Sequence, residues 1–489
     1  MTLYVTRNLD RRSVFFAAFF LFVFSLPGRA TDIELPELGD ATSGIISKQQ
    51  EYELGRTWLK IFRSRVRTHD DPLMQQYLEQ LLYDLATHSD LEDPRLELVI
   101  INNPTMNAFA VPGGVVGFHT GIFNYAESED QMSSILAHEL AHLSQRHFAR
   151  GLEAQRKNST LSVAGMLASL IIIATAGGDA GTAALATTQA LALDSQLRYS
   201  RSNEQEADRI GLQTMERAGR DPRAVAEMFE NLLRATRYTG SRPPEFLLTH
   251  PITEKRISDA RNRAMGISSM QFFRKNAYFY LMRARAITAI EQNPQLGIKR
   301  FTRELETNAL PKSASNYGLA ISHKNAGNYD QSSKIIKTLL EENPKNHAYL
   351  YLDIELDIAR QFYSRALNKL DQLLALNSHN YPLTVLKSEV LWQAHRYEES
   401  ADVLAALAFQ RPADPAIWFR LAEVRGLAGD ISGVHQARAE YFILTGVFDR
   451  AREQLGLALK LVSSDFKQSA IIRQRLRDIM EMEKRVEKL

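Results

Sequence analysis

Tyr329, Tyr363 and Tyr397 stand 34 residues apart, and that period constrains this 489-residue chain more than any other feature. Three further series keep the same phase: Ser332, Ala366 and Ser400; Ile336, Leu370 and Leu404; Leu339, Leu373 and Leu407. Pro344 and Pro412 lie two periods apart. A bulky residue, a small residue and then apolar residues at helical spacing describe one unit of a helix-pair array. Such a unit cannot bury its apolar face alone, so copies must stack into a solenoid with a concave surface. Trp418, Leu421 and Ala422 open a further unit in phase. Gly446, Phe448, Ala451 and Leu455 open one shifted by half a period, and segment 276–312 reads as a degenerate first unit.

The 34-residue signature matches the tetratricopeptide repeat. Residues 270–489 are therefore expected to form an all-α solenoid that folds as a separate unit and binds partners.

The N-terminus differs. Arg7, Arg11 and Arg12 precede the apolar run Val14–Leu26, and Pro27-Gly28-Arg29-Ala30 follows. A basic start, a short apolar core and small residues before the cut describe a secretory signal peptide over 1–30. At 13 residues the run is short for a membrane anchor. The chain has no cysteine, which excludes disulfides and thiol chemistry. Its formal charge is +2, and without the first thirty residues it is −1, so no footprint for nucleic acid is present.

Between these ends, residues 31–269 mix helices with three short strands. Periodicity predicts helices within 46–90 and strands at Leu96–Asn102, Ala108–Val111 and Val115–His119, the last two joined by the turn Pro112-Gly113-Gly114. A helix from about Asp130 to Arg150 starts at a capping pattern, Ser128 with Gln131, and ends at Gly151. A second, from about Asn203 to Ala218, repeats it with Ser202 and Gln205 and closes at Gly219. The apolar stretch 161–178 and the Ala/Thr-rich helix to about Leu193 read as a buried or interfacial hairpin, a lid beside the site or a peripheral membrane contact.

The first of these helices carries His138-Glu139-Leu140-Ala141-His142. Residues four apart share a helix face, so both imidazoles reach one ion, and zinc accepts neutral imidazole while keeping a position for water. Glu139 is placed to take that water's proton. A third ligand is required, and a carboxylate on a following helix supplies it in thermolysin-like sites. Glu204 and Asp208 share one face of the second helix, whereas Glu206 lies about 200° from Glu204 and points away. Glu204 is thus the expected ligand, with Asp208 supporting a zinc-bound imidazole. His147, about 180° around a continuous helix from His138, reads as structural. Thr249-His250-Pro251 follows Pro243-Pro244 and is expected in a loop. His250 is open to three readings: a fourth, regulatory ligand that restrains the enzyme, a group stabilising the tetrahedral intermediate, or a turn residue.

His138-Glu139-Leu-Ala-His142, Glu204-Gln-Glu-Ala207-Asp208, Thr249-His250-Pro251, Asn107-Ala-Phe-Ala and Pro112-Gly113-Gly114 together resemble the M48 peptidase family. The resemblance implies a mainly α chain: a gluzincin-type α+β zinc metalloprotease domain with a small β-sheet over 31–269, then an all-α tetratricopeptide solenoid. It implies one Zn2+ per chain on His138, His142 and Glu204, with Glu139 catalytic and Asp208 supporting or donating a proton. Members with a signal peptide and such repeats imply a periplasmic endopeptidase. Its expected partners are unfolded or misassembled outer-membrane β-barrel proteins and, through the repeats, the barrel assembly machinery. A different class remains beside it: a non-proteolytic assembly chaperone or scaffold working through the repeats.

Overall fold

Helix α1 (Lys48–Arg65) starts at a complete capping box, in which Ser47 and Gln50 each accept the other's backbone N–H. The computed structural model describes residues 46–66, 68–156, 201–238, 245–265, 267, 276–291 and 293–487. The expected signal peptide and the apolar segment 161–193 lie outside the described residues. Helix α2 (Pro72–Thr87) follows, with Asp71 as N-cap and Pro72 in the first turn.

Strands β1 (Glu97–Ile101), β2 (Ala108–Val111) and β3 (Val115–His119) form a sheet in the order β1-β3-β2. β1 runs parallel to β3, and β2 pairs antiparallel with β3, Ala108 opposite Phe118 and Val111 opposite Val115. The turn between β2 and β3 places Gly113 and Gly114 at φ of 78° and 80°, where an L side chain is strained. Alternate side chains divide the sheet between two cores. Val99, Ile101, Phe109, Val111 and Val115 pack under α1 against Trp58 and Phe62. Leu98, Ile100, Val116 and Phe118 face α2 and α3 (Glu129–Ser144). β2 is left at one edge of the sheet, beside α3.

Helices α4 (His147–Arg156), α5 (Arg201–Arg217), α6 (Arg223–Tyr238), α7 (Glu245–Thr249) and α8 (Glu254–Met265) complete this part. Three expectations need correction. The single helix expected to Arg150 is broken after Ser144, because Arg146 adopts a left-handed φ of 49°. Gly151 therefore lies inside α4 and caps nothing. Ser202 lies inside α5 and is not its cap, although Gly219 does close that helix: its N–H reaches Glu216 O and the Arg220 N–H reaches Met215 O. At α3, Ser128 Oγ accepts the Gln131 N–H, but the Gln131 side chain takes the Glu127 N–H in place of that of Ser128.

The helix pairs follow: α9 (Ala277–Ile290) with α10 (Pro294–Thr307), α11 (Lys312–Asn325) with α12 (Tyr329–Glu342), and α13 (His347–Ala359) with α14 (Tyr363–Leu376). Then come α15 (Tyr381–Gln393) with α16 (Tyr397–Gln410), α17 (Pro415–Leu427) with α18 (Ile431–Leu444), and α19 (Phe448–Leu461) with α20 (Phe466–Glu487). The small series explains itself. Ser332 and Ser400 are fully buried and donate to Ala320 O and Ser388 O of the preceding helix, and Ala366 takes the same position without a hydroxyl. No helix among the described residues is long and apolar enough to cross a membrane.

The array does not stand apart as the repeats alone suggest. One apolar core runs unbroken from Leu78, Phe118 and Leu136 through Phe279 and Tyr317 to Leu391. Phe279 of α9 lies 5.9 Å from Phe123, so the degenerate first unit is packed onto the strand-bearing part. Arg411 binds Glu79, Arg420 binds Asp70, and buried Arg285 bridges Asp71 of the α2 cap to Glu355 of α13. Burial opposes the Glu355 charge, but Arg285 and Lys324 outweigh it and hold its pKa at about 2. A depressed carboxylate stabilises the fold above its ordinary pKa and ceases to do so as pH falls through the folded value. Glu355→Gln should therefore cost roughly 2 kcal/mol at neutral pH, allowing for the residual exposure of this carboxylate. In unfolding curves the gap to the parent should close as pH falls from about 4.5 to about 2; a pH-independent gap would contradict this linkage.

Candidate metal centre

α3 is buried from Gln131 to His142, so His138, Glu139 and His142 project into protein. α5 crosses it closely. Ala207 and Ala141 are buried together, and a Cβ on Gly211 would stand 3.2 Å from the Ala137 backbone. That small-residue contact lets Glu204, two turns before Gly211, reach the imidazoles.

His138 Nε2 lies 3.1 Å from His142 Nε2 and 3.3 Å from His250 Nδ1. Glu204 Oε1 is 3.0 Å from His250 Nδ1 and 3.5 Å from His142 Nε2, and Glu204 Oε2 is 3.5 Å from His138 Nε2. Ligand atoms of these four residues all fall within 4.8 Å of one another. Bonds of about 2.0–2.1 Å in a tetrahedral site set ligand atoms about 3.3 Å apart, which is the spacing seen here. The donor set of three imidazoles and one carboxylate fits zinc. Both Glu139 oxygens are buried and make no close hydrogen bond among the described residues, although the Ala110 backbone N–H is directed at this carboxylate.

Burial and close charges set the protonation of these groups. Burial, then the neighbouring His138 charge, pushes the His142 imidazole well below its usual pKa, so it is neutral and can bind metal. Burial disfavours a charged His138, but Asp208 and Glu204 outweigh it and raise its pKa to about 9 in the metal-free site. Binding a metal there displaces that proton. Burial also raises the Glu139 carboxyl, against the pull of His250 and His138. Burial works against the Glu204 charge, yet His250 and His138 hold it well below the usual carboxylate range.

Asp208 stands behind the cage: its Oδ1 is 3.1 Å from His138 Nδ1, on the far side of the ring from the other donors. Arg256 of α8 grips both Asp208 oxygens at 2.6 and 2.7 Å and places Nη1 2.9 Å from Glu204 Oε2. It lies over the Phe229 ring and is nearly fully buried. The sequence reading missed Arg256. Its signal was the phase of α8, where Arg256 shares the buried face with Ile257, Ala260 and Ala264.

His250 directly follows the short helix α7, where a plain loop was expected. Its N–H bonds Phe246 O, and its ring stacks on Phe246 at 4.7 Å. His119, at the end of β3, lies apart from the cage beside Thr105. His147 stays outside the group of four, as expected, but the break at Arg146 turns it back towards His142, its Nδ1 2.8 Å from His142 Nδ1.

Comparison with known proteins decides the family. Residues 72–264 match peptidase family M48, and residues 358–423 match a tetratricopeptide repeat. The beta-barrel assembly-enhancing protease of Escherichia coli (strain K12) is 33% identical over 456 residues, covering 92% of this chain and 92% of its own length. The protein of that name from Yersinia pestis is 31% identical over 421 residues, 85% of each chain. The chain belongs to peptidase family M48. The M48 part also resembles the mitochondrial metalloendopeptidase OMA1 of Schizosaccharomyces pombe, 33% identical over 181 residues, 37% of this chain and 50% of that one. This M48 chain is a metallopeptidase, and its α+β peptidase part followed by a helical-repeat solenoid is the architecture its sequence predicts.

Proposed function

We propose that the chain is a periplasmic zinc endopeptidase. It hydrolyses peptide bonds in misfolded or misassembled outer-membrane proteins and assists their β-barrel assembly. The observation that carries this reading is the cage of His138, His142, Glu204 and His250 with the buried carboxylate of Glu139 beside it. The names of the relatives support the substrate class, and the repeats support contact with the barrel assembly machinery.

His138, His142 and Glu204 would hold the ion. When bound, zinc supplies Lewis acidity and lowers the pKa of its water to about 7. Glu139 takes the proton and later passes it to the leaving amine. Arg256 and Asp208 fix the His138 ring from behind, which supports the reading of Asp208 as a supporting group rather than a proton donor. The edge strand β2 offers backbone groups to an extended substrate, a mode that reads little sequence and suits unfolded chains.

His250, whose Nδ1 lies 3.3 Å from His138 Nε2, would be a fourth ligand and would hold the enzyme in a low-activity state until substrate displaces it. His250→Ala should therefore raise cleavage of an unfolded outer-membrane protein and of the enzyme itself. Lower turnover would instead assign His250 to the transition state, and unchanged turnover to the fold alone. In metal analysis, Glu204→Ala should lose zinc at stoichiometric loading whereas Glu206→Ala should keep it. The reverse order would move the ligand to Glu206.

A further inference from the structure

Both imidazoles on α3 are backed from the side away from the cage, by different means. Behind His138 stands the carboxylate of Asp208, itself held by Arg256. Behind His142 stands a second imidazole. His147 Nδ1 is 2.8 Å from His142 Nδ1, the rings meeting nearly edge to face with centroids 4.9 Å apart. His147 Nε2 is 3.2 Å from Glu206 Oε2, and Arg150 Nη1 donates to that same oxygen at 3.0 Å. His147 is 1% exposed. The turn that delivers it is held from outside α3: Arg146 binds Glu51 and the carbonyl of Ile46 while its own φ sits at 49°.

We propose that His147 is a positioning residue for the second metal-binding imidazole, fixing the tautomer and orientation of His142 and handing that constraint to Glu206. The inference rests on the zinc site proposed above. A neutral His142 that binds through Nε2 carries its proton on Nδ1. The atom 2.8 Å from that N–H must be an acceptor, so His147 Nδ1 is bare. The His147 proton then sits on Nε2 and is donated to Glu206 Oε2. Among the described contacts, this assignment gives the His142 and His147 donors each an acceptor, and Arg150 holds the Glu206 oxygen at the far end. Reversing the His147 tautomer would set two N–H groups against each other at His142 and leave Glu206 without the donor. Glu206, which the helix azimuth sends away from Glu204's target, acts on the metal through two imidazoles.

Groups that orient a ligating histidine are typically worth 10–100-fold in metal affinity. The test uses the full chain and zinc alone, measured by competition with a chelator, with melting of the zinc-free protein recorded beside it. His147→Leu keeps bulk and removes the acceptor; zinc affinity should fall about 10–100-fold. His147→Asn puts an amide oxygen near the Nδ1 position and should stay within about threefold of the parent. Glu206→Ala should fall between the two. Equal zinc affinity in His147→Leu and the parent would overturn the proposal, as would an Asn variant as weak as Leu with unchanged zinc-free melting. If His147→Leu does not fold, nitrogen chemical shifts of the zinc-loaded parent decide: a bare Nδ1 on His147 supports the relay and a protonated Nδ1 overturns it. A parent that takes up no zinc would overturn the site itself, whereas tight zinc in parent and His147→Leu alike would overturn only the relay.

Discussion

Glu139→Gln should lose about 100- to 10,000-fold in proteolysis while still taking up one zinc per chain. Glu139 is fully buried, and among the described residues neither oxygen makes a close hydrogen bond, the Ala110 backbone N–H being directed at the carboxylate. His250 Nε2 lies 3.6 Å from its Oε1. The glutamine keeps size and polarity but cannot take a proton, so the chemical step fails while His138, His142 and Glu204 stay in place. Turnover by the variant at the parent's rate would remove Glu139 from the mechanism. Loss of zinc in the variant would instead make Glu139 part of the cage.

Arg256→Met should destabilise the zinc-free chain by about 3–5 kcal/mol, the usual cost of breaking a buried ion pair from one side. Arg256 is the shared cation of Asp208 and Glu204, both within 2.9 Å of its nitrogens. Burial would lower its pKa, but the Asp208 hydrogen bonds and charge more than compensate, so the guanidinium stays charged. Methionine fills the volume over Phe229 and leaves two buried carboxylates facing each other. Arg256→Lys should recover only part of the loss, because an ammonium cannot grip Asp208 at two points. Zinc should reduce the deficit, since it neutralises Glu204. Denaturant unfolding with and without zinc reads all three; a cost under about 1 kcal/mol would show that Asp208 and Glu204 do not depend on this cation.

Which features could be read from sequence depends on range. The repeats are legible because each buried small residue sits at one position of one helix, so Ser332, Ala366 and Ser400 carry the period directly. The strands are legible because Pro112-Gly113-Gly114 needs left-handed backbone between two apolar runs. The break after Ser144 is not. Gln145 and Arg146 carry no breaker signal, and the left-handed Arg146 is held by Glu51 and Ile46, about a hundred positions away. Treating 138–147 as one continuous helix, which set His147 about 180° from His138, followed from that one missed residue. Arg256 was hidden for a similar reason: its partner Asp208 lies 48 positions earlier on another helix. The packing of α9 onto the strand-bearing part was hidden too, because its apolar residues look alike whether they face a repeat or Phe123.

Zinc content and cleavage measured together on the purified chain test the central claim most directly. The account predicts one zinc per chain and cleavage of an unfolded outer-membrane protein. That cleavage should fall to background when zinc is stripped and return when zinc is restored, and His138→Ala and His142→Ala should show neither zinc nor cleavage. Cleavage that survives removal of the metal, or full zinc in those two variants, would contradict it.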